Sequence, residues 1–366
     1  MDRLKAEWLL LAFAVLTLVL ALVDPQPLAT WQHWLQGPTL AGLAGLLIAI
    51  QGIRDSALVQ HAAAVLVSRT HSLRSLGLLL VATTAVLSMV LTNDVSLFVL
   101  VPLTVAIGGL SNLPVLRMVV LEALAVNAGS TLSPIGNPQN LLLWQHGQLS
   151  FLAFAWAMLP AAAVMLALVA ALTWCWLPAE RVALAPPALD RQAVAGRLAA
   201  LSLAALVAMV VAMEYAQAAL GAGVLLAVFA LVAPRSLLRV DWLLLLTFAA
   251  IFLGLGHLAE LPRVHAALDR FDFDRPLTLY LGGILASQLI SNVPATVLLL
   301  ERARDPIALA VAVNVGGFGL AIGSLANLIA LRLARQPQGL RALHQVSVPF
   351  LLMCAPLVYM AWRWLG

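Results

Sequence analysis

The chain has 366 residues, of which 63% are hydrophobic and only 10% charged. A soluble domain carries about 25% charged residues, so a soluble enzyme or a nucleic-acid-binding module is excluded. The formal net charge of +4 comes from Arg in connecting segments, as the order of the chain shows.

Several apolar runs reach the roughly 17–25 residues that cross a bilayer as a helix. They are continuously apolar rather than alternating, which argues against a transmembrane β-barrel. Trp8 to Val23 follows Arg3 and Lys5 but lacks a small-residue cleavage site, so it is expected to be a retained helix rather than a signal peptide. A Lys- and Arg-free loop with Pro25, Pro27 and Pro38 precedes a helix at about 39–53. The stretch 54–74, with His61, Arg69 and His71, has an apolar middle too short to span, and is expected at the interface.

From Ser75 the sequence is apolar to Leu91, reads Thr92-Asn93-Asp94, and is apolar again to Ile107. A further helix starts at Val115 and meets N-A-G-S-T-L-S-P-I-G-N-P-Q-N, Asn127 to Asn140, before resuming to Trp144. Interrupted backbone at membrane depth is tolerated only inside protein or along a polar cavity. The motif is therefore a site or a surface loop. A long span at about 151–177 follows, then a Pro- and Arg-rich linker at 178–197. Spans at about 198–213, 221–233 and 241–256 and a polar stretch at 257–276 lead to apolar Pro276–Ile290, broken by Ser291-Asn292-Val293-Pro294. A second broken helix carries Asn314-Val315-Gly316-Gly317 and ends near 331, and a last span covers about 343–364.

The chain repeats itself. Asn127 to Leu141 aligns without gaps on Asn314 to Leu328, with Asn127/Asn314, Gly129/Gly316, Ile135/Ile322, Gly136/Gly323, Asn140/Asn327 and Leu141/Leu328 identical. Each copy follows an earlier break that carries Asn, Asn93 or Asn292. Paired interrupted helices in two halves point to a secondary-transporter site.

Charge sets the orientation. Excess Lys and Arg mark the cytoplasmic side. Most of the 20 Lys and Arg fall at the N-terminus, 54–74, Arg117, 178–197, 234–240 and 332–342, whereas 24–37, 145–150 and 214–221 hold none. All those regions share one side only if 75–107 is a re-entrant hairpin with its tip at Thr92-Asn93-Asp94. The same count makes 277–300 a re-entrant hairpin from the opposite face. A crossing between Arg117 and the Arg-free 145–150 loop rules out the surface-loop reading. The N-terminus is expected in the cytoplasm of the bacterial inner membrane and the C-terminus outside. The expected fold is an all-α polytopic membrane protein of two inverted-topology repeats, each with a re-entrant hairpin and an interrupted helix. Repeat one is 1–177, with hairpin 75–107 and broken helix 115–145. The cytoplasmic linker is 178–197. A linking helix and repeat two fill 198–366, with hairpin 277–300 and broken helix 306–332.

The breaks supply the chemistry. Each half-helix N-terminus presents unpaired N–H groups to an anion, and the carbonyls ending the preceding half-helix suit sodium. The candidate substrate and ion site is Thr92, Asn93, Asp94, Asn127, Gly129, Ser130, Thr131, Asn137, Ser291, Asn292, Asn314, Gly316, Gly317 and Ser324, with Asn93, Asp94 and Gly129 as the candidate sodium site. Asp94 is either an ion or proton site or the cap of the arm starting at Val95. Glu122, in mid-span, is a proton relay or a hydrogen-bonded structural carboxylate. His61, His71, His146, His257, His265 and His344 fall in loops or near helix ends and read as surface residues. Trp31, Trp34, Trp144, Trp174, Trp176, Trp242, Trp362 and Trp364 read as an interfacial belt. Cys175 and Cys354 read as inert buried side chains, and no metal spacing, P-loop or Ser-His-Asp set is present.

At L-T-N-D (Leu91–Asp94), the Asn127–Asn140 motif, S-N-V-P (Ser291–Pro294) and N-V-G-G with I-G-S-L-A-N (Asn314–Asn327), the chain resembles the ion transporter superfamily. That group includes arsenite-pump membrane subunits, citrate–metal symporters, divalent anion:sodium symporters and D-type sodium/proton antiporters, and the resemblance is nearest the short bacterial anion-transporter branch. It implies inverted repeats with opposed hairpins, often in a homodimer. In the divalent-anion branch Ser-Asn-Thr tips bind carboxylate and sodium. Here the tips read Thr92-Asn93-Asp94 and Ser291-Asn292-Val293, and Asp94 and Pro294 are similar to the arsenite-pump pattern. The expected function is secondary transport of a small anion or oxyanion coupled to protons or sodium, with sodium/proton antiport as the alternative and a non-transporting receptor as a third class. No enzyme activity, organic cofactor or nucleic-acid partner is expected. A soluble ATPase partner, which arsenite pumps use, is the less favoured arrangement.

Overall fold

The structure is a computed structural model that describes residues 8–59, 61–62, 72–109, 113–180, 193–336 and 338–365. The basic N-terminus, most of the 54–74 segment beyond its first residues, and residues 181–192 of the linker lie outside the described residues. The described elements are helical, in the order α1 Trp8–Val23, α2 Leu28–Trp34, α3 Gly37–Asp55, α4 Leu73–Leu91, α5 Asn93–Gly109, α6 Val115–Ser130, α7 Pro138–Gly147, α8 Phe151–Trp176 and α9 Gly196–Glu214. They continue with α10 Ala218–Val232, α11 Pro234–Leu237, α12 Trp242–Glu260, α13 Pro262–Leu268, α14 Pro276–Ile290, α15 Asn292–Leu299, α16 Pro306–Val315, α17 Leu325–Ala334 and α18 Gly339–Leu365. Among the described residues, six helices (α3, α4, α8, α9, α12 and α18) are long and apolar enough to cross a membrane.

Contacts between named residues fix the first hairpin. Gly77 of α4 packs near Met118 of α6, and further along Ala85 and Ser88 pack against Gly129. Arm α4 therefore runs in the same sense as α6. Arm α5 runs back: Thr104 bonds Glu122 and Gly108 sits against Val115 at the start of α6. Both ends of the hairpin thus lie at one face. Leu73 and Arg74 donate their N–H groups to the Glu180 and Pro178 carbonyls just beyond α8, at 3.1 Å each, and tie that base to the end of the long span.

The second half repeats the plan upside down. Gly283 packs against Ala312 and Ser287 against Gly316, so α14 runs with α16. The start of α16 lies beside the far end of the first broken helix, where Pro306 meets Gly147. The two broken helices therefore enter from opposite faces. Half-helix α17 packs on arm α5 and half-helix α7 on arm α15. This is the inverted-repeat architecture that the charge count predicts. Helices α1, α9, α10 and α12 pair around α3 and each other on the flank.

Several expectations are corrected. The 24–37 connection contains α2, which follows Pro27 at its N-cap, and the 257–276 stretch contains α13, begun by Pro262 at its first position, where a missing N–H costs nothing. His257 is fully buried rather than superficial. It stacks on Trp34 at 4.7 Å and meets Trp31 edge-on, while its Nε2 donates to the Asp24 carboxylate at 3.0 Å. That bond, with a second from Gln26, holds the Asp24 carboxyl below its ordinary value. Trp34, Trp144 and Trp362 belong to the core, not the belt, and Trp144 donates to the Leu149 carbonyl at 2.7 Å. Trp174 and Trp364 are exposed, as a belt requires. Cys354 is buried but Cys175 is exposed on the outer face of α8.

Candidate functional site

The two breaks meet in a buried asparagine knot. Asn127 donates from Nδ2 to the Ala123 carbonyl and to Oδ1 of Asn327, at 3.0 and 2.9 Å. Its counterpart Asn314 donates to the Ala310 carbonyl and to Oδ1 of Asn140, at 2.8 and 2.6 Å. Each bond is the symmetry mate of the other. Asn140 in turn donates to the carbonyls of Ser130, Thr131 and Ser133, and Asn327 to that of Gly317. Asn137 caps α7 through Asn140 N–H and reaches Ser130 Oγ and Asn314 Oδ1. A buried amide carries two donors and an acceptor, and all must find partners. The motif thus satisfies its own broken backbone and, in doing so, bonds one repeat to the other.

The hairpin tips are strained in the same way. Thr92 has φ 78° and ψ 154°, and Ser291 has φ 77° and ψ 156°. This region is nearly reserved for Gly, costs about 1–3 kcal/mol and clusters at ligand clamps. Immediately after each, an Asn opens the returning arm and accepts the next N–H on its own side chain: Asn93 Oδ1 from Asp94 N–H and Asn292 Oδ1 from Val293 N–H, both at 2.9 Å. Asp94 stands inside the first turn of α5 and is therefore not its cap. No hydrogen bond or ion pair engages the Asp94 carboxylate among the described residues. Asn93 also donates its backbone N–H to the Gly136 carbonyl at 2.9 Å, which seats tip one on break one. Tip two is buried, and Ser291 Oγ has no partner among the described residues.

A cavity of about 620 Å³ reaches the first tip. Thr92 and Asp94 line it with Gln51 and Arg54 of α3, Asp241 at the cap of α12, and Leu328 and Arg332 of α17. Arg54 also lies over the Phe98 ring at 5.3 Å. Neither Ser291 nor Asn292 lines this cavity. A smaller cavity of about 130 Å³ on the opposite face, with His33, Glu301 and Arg302 in its wall, stops at Val297 short of the second tip. Of these two cavities, the one that touches a hairpin tip touches the first.

Against the expected site, the structure brings Thr92 and Asp94 to the cavity wall, Asp94 half-buried and Thr92 buried. Asn127, Asn137, Asn314, Ser130 and Thr131 have their side chains engaged within the knot, Thr131 through the Asn127 carbonyl at 2.8 Å. Ser324 caps α17 through Ala326 N–H. The Gly316 and Gly317 carbonyls accept from Gln288 and Asn327. Gly129 packs flush on arm α4 against Ala85 and Ser88, and its carbonyl accepts from Leu132 N–H. Sequence reasoning missed Asn140, Asn327 and Gln288 as pairing groups, although the first two stand among the identical positions of the repeat. It also missed Arg54, Asp241 and Arg332 as cavity residues. They carry no local motif, since only tertiary packing brings them to the tip.

Comparison with known proteins agrees with this geometry. A family model described as citrate transporter (CitMHS) matches residues 1–306. The inner membrane protein YbiR of Escherichia coli K12 is 39% identical over 330 residues, 90% of this chain and 88% of that protein. An uncharacterized transporter of Methanocaldococcus jannaschii is 28% identical, over 88% of each chain. The silicon efflux transporter LSI3 of rice is 30% identical over 124 residues, 34% of this chain and 26% of its own length. Among solved structures, the YdaH transporter of Alcanivorax borkumensis superposes with a TM-score of 0.50 at 16% identity, over 98% of this chain and 97% of that one, and so shares the fold. The chain is a membrane transporter and belongs to the CitMHS citrate transporter family, within the ion transporter superfamily.

Proposed function

We propose that the chain is a secondary active transporter that moves a small anion or oxyanion (a carboxylate, an inorganic anion or an arsenite-like species) across the inner membrane, coupled to protons or sodium by alternating access. The observation that carries this reading is the one-sided cavity that ends at Thr92 and Asp94 while the matching tip, Ser291-Asn292, is sealed. Two strained, symmetry-related tips, one reachable and one not, are what a carrier in one of two mirror states requires. Arg54 and Arg332 in the cavity wall supply the cationic attraction that half-helix dipoles alone give weakly. Asp94, unpaired at the tip, holds the coupling cation or proton. The N-terminus faces the cytoplasm and the C-terminus the outside, so this cavity opens inward. The functional halves are 1–177 and 198–366, joined by 178–197, and the homodimer is the favoured assembly. The family's citrate, and the silicon handled by the rice relative, bracket the substrate class between carboxylates and oxyacids.

A sodium/proton antiporter is the second reading. It is favoured by Asp94 and Asp241 sharing one cavity. A thermal-shift screen separates the two. The full chain in detergent is scanned with arsenite, sulfate, citrate, succinate and phosphate, with and without sodium. The anion reading expects one anion to raise the unfolding midpoint, and Arg332→Gln to remove that rise. Stabilisation by sodium alone, with no anion active, selects the antiporter.

A further inference from the structure

A second carboxylate lies inside the first repeat, away from the cavity. Glu122 of α6 is fully buried. Its Oε1 accepts a hydrogen bond of 2.6 Å from the Thr104 hydroxyl on arm α5, and its Oε2 has no partner among the described residues. The elements packed on α6 are α4, α5, α8, α17 and α18. None of their ionisable groups pairs with Glu122. Arg74 lies over Trp174, Arg117 over Trp176 and Arg363 over Trp362. Asp94 and Arg332 face the cavity, and His344 accepts from Ala321 N–H. Arg341 stands exposed near the start of α18, Cys175 is exposed on α8, Cys354 is buried in α18, and Tyr359 packs against Tyr280 and Trp362.

An ionised carboxylate with one donor and no counter-charge is very costly in such surroundings, and the group neutralises instead. The repeat shows that the fold does not need an acid here. The position that matches Glu122 in the second broken helix is Leu309, equally buried in α16. A glutamine would keep the bond from Thr104 and stay neutral permanently. What a glutamic acid adds is a proton that can leave.

We propose that Glu122 is a proton-binding site gated by the first hairpin. With α5 seated on α6, the carboxyl is shut from water and holds its proton. When α5 withdraws, Thr104 leaves Oε1 and water enters. The O–H bond of the carboxyl then breaks, its electron pair stays on the carboxylate, and the proton passes to water. Because the hairpin carries the substrate tip, proton loading and tip position become one event. This inference rests on the transport reading for its purpose, but not for its test.

The experiment uses the full chain in nanodiscs with no transported solute. Infrared spectra of wild type minus Glu122→Gln at neutral pH are expected to show a protonated-carboxyl band that the variant lacks. A pulsed-EPR distance between labels at Ala106→Cys and Ala171→Cys, both exposed positions in α5 and α8, is placed in a Cys175→Ser, Cys354→Ser background. It is expected to shift as pH rises in the otherwise unaltered chain and to stay constant once Glu122→Gln is added. A carboxylate band in place of the carboxyl band overturns the proposal. So does a distance that is pH-independent with Glu122 present, or that still moves with pH in the variant. A failed flux assay would count against transport and leave these two readouts standing.

Discussion

At the scale of single residues, the asparagines divide by position. Those in the paired breaks are structural donors that hold two repeats together, whereas those at the tips accept the next N–H of the returning arms and leave a neighbour free. Asn127→Ala removes two buried amide bonds and strands Asn327 Oδ1. A buried polar group left unpaired costs about 1–3 kcal/mol. Asn127→Ala and Asn314→Ala should each lower stability by about that amount in detergent denaturation. The double-mutant cycle of Asn127→Ala with Asn327→Ala should show a coupling of about 1 kcal/mol, because the pair shares one bond. A coupling of zero would mean that the cross-repeat bond is not formed. The sequence made these residues conspicuous, as identical Asn at matching places in an apolar chain. It could not say that they would bond one another, because an Asn near a break serves a ligand and a backbone carbonyl equally well. Asp94 is the reverse case. The arm begins at Asn93, a boundary too fine for spacing to resolve, so Asp94 stands inside the first turn with its carboxylate unpaired.

At the scale of elements, the hairpins and broken helices were legible because charge and apolarity constrain them together. A helix of lipid-facing length must cross, and Arg must stay on its own side. The short helices α2 and α13 were not legible, since their seven residues carry no periodicity that outweighs the neighbouring prolines. The contact between hairpin and broken helix depends on small residues. A side chain at Gly129 would run into the Ala85 carbonyl and the Ser88 hydroxyl, and one at Gly316 into Ser287. Overpacking of this kind costs about 1–3 kcal/mol. Gly129→Val should therefore lower the unfolding midpoint, whereas Gly223→Val, with open space around it, should leave the midpoint nearly unchanged. Equal effects at both positions would contradict close seating of α4 on α6.

At the scale of the whole molecule, pseudo-symmetry and its violations carry the function. The breaks, the strained tips and the Asn residues that follow the tips occur twice. The acids occur once: Asp94 matches Val293 and Glu122 matches Leu309. In the proposed transport cycle, duplicated geometry would supply two equivalent states and unduplicated charge would let an ion gradient choose between them. The cavity walls were the least legible part, because Arg54, Asp241 and Arg332 come from three distant helices. The central claim is that the two tips exchange access. Thr92→Cys and Ser291→Cys, each in the cysteine-free background, can be labelled with a membrane-impermeant thiol reagent from either side of oriented vesicles. Alternating access predicts that Thr92→Cys reacts from the Arg-rich face and Ser291→Cys, sealed in this state, reacts from the opposite face as the carrier cycles. If both positions react from the same face, or Ser291→Cys from neither under any ion gradient, the account is wrong.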